Sequence, residues 1–68
     1  MAVTVSELCI KKIEAATRAI KMGVKTPEEV NPSEFFAKLQ PLNEGMAIDL
    51  LEKYNNVVED WKRKNPNS

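Results

Sequence analysis

Apolar positions in this chain fall into three sets, each with the spacing of a helix. The clearest runs from Asn43 to Lys64, where Ala47, Leu50, Leu51, Tyr54, Val57, Val58 and Trp61 share one stripe, extended by Met46. At roughly 100° of turn per residue the stripe is about 140° wide. Asp49, Glu52, Asn55, Asn56, Glu59, Asp60, Lys62 and Arg63 fill the other side. Asn43 is placed to cap the first turn, Lys62, Arg63 and Lys64 sit where the helix dipole favours cations, and Asn65-Pro66 stops the run. Asp49 and Lys53, Glu59 and Arg63, and Asp60 and Lys64 are spaced i,i+4, each pair worth a few tenths of a kcal/mol.

The second set lies near the start. Thr4-Val5-Ser6-Glu7 reads as a capping box. Val5, Cys9, Ile13, Ala16 and Ile20 then follow one helical face, widened by Leu8, Ala15 and Ala19 on one side and by Ile10 and Thr17 on the other. The alanines keep that face narrow enough for another helix to approach closely. Gly23 suits the left-handed residue just past a helix end, so the spacing predicts a helix from about Val5 to Met22.

Thr26-Pro27-Glu28-Glu29 begins like a helix, but Asn31-Pro32 cuts it off after a single turn. Asn31-Pro32-Ser33-Glu34 repeats the start signal, and a short helix from Pro32 to about Gln40 is expected to carry Phe35, Phe36 and Leu39. Either phenylalanine can face inward with Leu39, but rarely both. No alternating pattern of strand character lasts four residues beyond Met1 to Val5. The expectation is an all-α, small three-helix bundle spanning 1–68 as one domain. Its two long helices, 5–22 and 43–64, would run antiparallel with the short helix 32–40 laid across them, and 65–68 would form a disordered tail. About 65 to 75% of the residues should be helical.

Composition narrows the function more by exclusion than by indication. Sixty-eight residues with 43% hydrophobic content suit one small domain whose core is modest for its surface. A homodimer would enlarge that core. The sequence has no histidine, one cysteine and two glycines. It therefore offers no imidazole base, no zinc set, no thiolate–imidazole pair and no phosphate-cradling loop. The reading is a chain that is not an enzyme and takes no cofactor or metal. Cys9, on the inner stripe, reads as a small buried hydrophobe. No apolar run of signal-peptide character follows Met1, and none approaches membrane-spanning length. A cytoplasmic protein without a membrane partner is expected.

Binding remains. Phe35, Phe36, Ile48, Tyr54 and Trp61 are the candidates for a protein interface: Ile48 points to the polar side of its helix, and the aromatics are the residue types that anchor interfaces. The alternative is a DNA- or RNA-associated regulator using Lys11, Arg18, Lys21 and Lys25. The first, second and fourth recur every seven residues along the first helix. The formal net charge of zero gives no general attraction for phosphate. A protein-interaction or oligomerising module (accessory subunit, adaptor or regulator) is therefore the first expectation, with nucleic acid second.

Overall fold

Thr4 opens the first helix as its spacing requires, its hydroxyl oxygen accepting from the Glu7 N–H at 3.2 Å. The structure is a computed structural model that describes residues 4–65; the expectations for Met1 to Val3 and for 66–68 lie outside that range. Helix α1 spans Val5–Lys21, α2 spans Ser33–Leu39 and α3 spans Glu44–Lys64. Helix accounts for 73% of the structure, and there is no strand among the described residues. The architecture is a small three-helix bundle with two long helices and one short one.

Each helix end follows its local chemistry. Past the Met22 cap, Gly23 adopts φ +75°, a conformation glycine enters without a Cβ penalty. Its N–H donates to the Ile20 carbonyl at 3.1 Å and that of Val24 donates to the Ala19 carbonyl at 3.0 Å, the paired closure of a Schellman motif. Thr26 caps the single turn that follows, its hydroxyl accepting from Glu29 N–H at 3.2 Å. The Asn31 side chain then accepts from Ser33 N–H at 3.1 Å, and Asn43 caps α3 by accepting from Met46 N–H at 3.2 Å. Asn65 does not belong to a disordered tail. Its backbone and side-chain N–H groups both donate to the Trp61 carbonyl at 2.9 Å, closing the end of α3.

The two long helices run parallel, not antiparallel. Cys9 and Ile13 from the first half of α1 pack in one cluster with Ala47 and Leu50 from the first half of α3. At the other end, Ile20 and Met22 line a cleft with Val57 and Trp61. The connector and α2 are the reason. After Gly23 the chain turns back along α1, and α2 delivers it to the level of Cys9, where Leu39 joins the same cluster. Helix α3 therefore starts beside the start of α1.

The buried set is small: Cys9, Ile13, Ala16 and Ile20 from α1, Pro32 before α2, Leu39 from α2, and Ala47 and Leu50 from α3. Four of the five positions on the α1 stripe are thus core, whereas Val5 is 58% exposed. On α3 only Ala47 and Leu50 are fully covered. Tyr54, Val57, Val58 and Trp61 are half-buried, and Met46 and Leu51 are exposed. A seven-residue α2 is too short to roof a stripe that runs the length of a 21-residue helix.

Candidate functional site

The candidates chosen from sequence occupy different places. Phe36 and Tyr54 come together, edge to face with ring centroids 6.0 Å apart. The Tyr54 hydroxyl donates to the Val30 carbonyl at 3.5 Å, a long and weak hydrogen bond. Burial raises the Tyr54 pKa above its ordinary value of 10.0. These two rings tie α2, α3 and the connector together, so their first role is packing. Phe35 and Phe36 are both half-buried against the core. Neither faces freely outward, because on so short a helix the two rings straddle Leu39. Trp61 is half-buried at the far end of α3, beside Ile20 and Met22. Ile48 stands apart at 57% exposure, one helical turn from Leu51 at 43%.

The basic candidates do not form one stripe. Arg18 and Lys21 line a cleft of about 260 Å³ with Glu14, Thr17, Leu50 and Lys53. Lys11 is exposed on α1. Lys25 lies beyond the left-handed turn at Gly23, so a seven-residue helical repeat cannot align it with Arg18; it pairs instead with Glu29 at 3.8 Å. Of the i,i+4 pairs expected on α3, Asp49–Lys53 closes to 3.5 Å and Asp60–Lys64 to 3.1 Å. Glu59 and Arg63 do not close to 4.0 Å.

The feature that sequence reading missed lies on the other side of α1. Ala15, Ala16 and Ala19 form one wall of an open, almost wholly apolar cleft of about 290 Å³, and Val30, Pro32 and Phe35 form the other, with Lys12 and Lys25 at its edges. The close approach that the alanines allow is used by the connector and the start of α2, which leaves the outer side of this wall open: Ala15 is exposed and Ala19 half-buried. Leu8, 48% exposed, continues the same side of α1 toward its start.

Chemically this surface offers apolar area and lysine ammonium groups. Among the described residues no cluster of three or more histidine, cysteine or acidic side chains could hold a metal ion. None of the described helices is long and apolar enough to cross a membrane. Comparison with family models, with curated proteins and with solved structures finds no match.

Proposed function

We propose that this protein is a small, non-enzymatic interaction or oligomerising module of the cytoplasm, acting as an accessory subunit, adaptor or regulator. The observation that carries this reading is the apolar surface its own helices leave uncovered. Val5, Leu8, Met22, Ile48 and Leu51 are all between 43% and 69% exposed, and an open apolar cleft lies between two of the elements. Single exposed hydrophobes are ordinary, but several on continuous helical faces mark a binding surface. Affinity capture with mass spectrometry, repeated with Ile48→Glu and with Leu8→Glu, tests it. Partners lost from one variant whose far-ultraviolet dichroism stays helical support the reading. Capture of nothing that either variant releases sinks it.

One observation favours the nucleic-acid alternative. Because α1 and α3 run parallel, their basic last turns lie at the same end, and Lys21 and Lys64 line one cleft of about 210 Å³. Asp60 lines it too and pairs with Lys64 at 3.1 Å, which weakens any field for phosphate. A titration against DNA and RNA at about 150 mM salt decides between the two. Binding that Arg18→Glu with Lys21→Glu abolishes, and Ile48→Glu leaves intact, reverses the ranking.

A further inference from the structure

Val5, Leu8, Lys12, Ala15, Ala19 and Met22 are spaced by three, four, three, four and three. That is the a/d repeat of a helix that packs along its whole length against another helix. It is not the stripe that α1 buries in its own chain, which runs through Cys9, Ile13, Ala16 and Ile20. The a/d line lies to one side of it and its first turns are unpartnered: Val5 is 58% and Leu8 48% exposed, while Met22, at the cap, lines the cleft with Val57 and Trp61. Its middle, at Lys12, Ala15 and Ala19, runs along the apolar cleft closed on the far side by Val30, Pro32 and Phe35. A seam of helical repeat, the exposed Val5 and Leu8 and a cleft thus coincide on one face.

We infer that this face of α1 docks an amphipathic helix of another protein, one with apolar residues at a and d and acidic residues on its flanks. This rests on the interaction-module reading above and names the partner's chemistry for one of its surfaces. Charge selects the occupant. Lys12 stands within the seam, where a lone charged residue fixes register by demanding a partner of opposite sign. Lys11 is exposed on the solvent side of the seam, whereas Arg18 lines the cleft toward α3 and Lys25, at the edge of the apolar cleft, is paired with Glu29 at 3.8 Å. A parallel second copy of α1 would set Lys11 and Lys12 against their own counterparts, and an antiparallel one would face Lys12 with a seam that holds no carboxylate, so neither pairing satisfies the charge. A carboxylate opposite Lys12 and another facing Lys11 satisfy both. The alanines admit the partner's backbone closely, and the cleft beside them receives its larger side chains.

The experiment uses the full chain and two synthetic helices of about three heptads, each with leucine at a and d. One carries glutamate at e and g, and the other lysine. Fluorescence anisotropy should show the glutamate helix binding and the lysine helix binding at least about tenfold more weakly, with the difference shrinking as salt rises. Ala15→Glu, at an exposed position where glutamate is helix-compatible, should weaken the glutamate helix about tenfold or more, as should Lys11→Glu with Lys12→Glu. Far-ultraviolet dichroism of each variant should remain that of the wild type. Equal binding of both helices, binding of neither, or indifference to Ala15→Glu overturns the inference. So does light scattering that shows a dimer which Ala15→Glu dissociates, since the occupant is then a second copy. If the helices fail while captured partners are lost with Ile48→Glu, this face is wrong and the interaction module stands. If both fail, both fall.

Discussion

The Phe36 and Tyr54 rings meet at an interplanar angle of 62°, and this contact joins the shortest helix to the longest. Edge-to-face pairs add about 0.5 to 1.5 kcal/mol beyond the area they bury. The seven-residue α2 is seated on the core by Leu39 and both phenylalanines, and the ring pair is its tie to α3. Phe36→Ala should therefore cost about 2 to 3 kcal/mol in urea denaturation, somewhat below the range for a fully buried phenylalanine. Tyr54→Phe keeps the ring and loses only the long bond to Val30, so it should cost no more than about 1 kcal/mol. Equal losses in the two variants would place the hydroxyl, not the ring contact, at the centre.

Tyr54 is the single tyrosine of the chain, so its ionisation can be followed by absorbance. Burial raises its pKa above 10.0 in the fold, which means the folded state holds the phenolic proton more tightly than the unfolded chain. That contribution to stability is complete below the unfolded value near 10 and is lost as pH rises through it and through the folded value. The tyrosinate midpoint should lie above 10 in the folded protein and return to about 10 in concentrated urea. Stability between about pH 9 and about pH 11 should fall more steeply for the wild type than for Tyr54→Phe. A midpoint at or below that of the unfolded chain contradicts the placement of the ring.

Cys9 is 2% exposed and packs with Ile13, Leu39, Ala47 and Leu50. A thiol in that position reacts only when the bundle opens. Labelling with a thiol reagent should be slow in buffer and fast in denaturant, and adding a reductant should leave the oligomeric state unchanged. Cys9→Ala should cost about 1 kcal/mol. Rapid labelling of the folded protein would show that the α1 stripe opens where the structure closes it.

How far the fold was legible follows from what periodicity encodes. Spacing and caps specify where a helix starts, where it stops and which face it buries, and the hydroxyl of Thr4, the side chain of Asn43 and the left-handed Gly23 all act as their positions require. Spacing carries no direction. Parallel and antiparallel pairings bury the same stripes, so the orientation of α1 against α3 was decided by the path of residues 24–32, which no stripe describes. The candidate surface was hidden for a related reason. The exposed a/d line and the buried stripe of α1 are neighbours, and the alanines and Lys12 on the former carry little hydrophobic weight. Leu8, Ala15 and Ala19 read as a widening of the core face until the burial of each separated them. Phe35 and Phe36 were a choice between two only if one had to face out; both rest half-covered on either side of Leu39.

Leu50, Val57 and Ile48 form a graded test of the bundle on a single helix. Leu50 is 5% exposed and packs on Cys9, Ile13 and Leu39, Val57 is half-buried near the end of α1, and Ile48 is 57% exposed. An aspartate at position 50 would be an unpaired carboxylate within the buried cluster that joins all three helices. Burying such a group costs more than a chain of this size has in reserve, since small domains are stable by about 5 kcal/mol or little more. Leu50→Asp should therefore be unfolded at neutral pH. At position 57 the carboxylate can reach solvent along the cleft it shares with Trp61 and Lys64, so Val57→Asp should lower stability by about 1 to 3 kcal/mol and leave a folded protein. Ile48 lies outside the buried cluster, so Ile48→Glu should change stability by no more than about 0.5 kcal/mol. Far-ultraviolet dichroism and urea denaturation of the three variants give the order directly. If Val57→Asp unfolds the chain as completely as Leu50→Asp, the C-terminal half of α3 is more deeply covered than described. If Ile48→Glu does so, its face is a contact that the isolated bundle already makes.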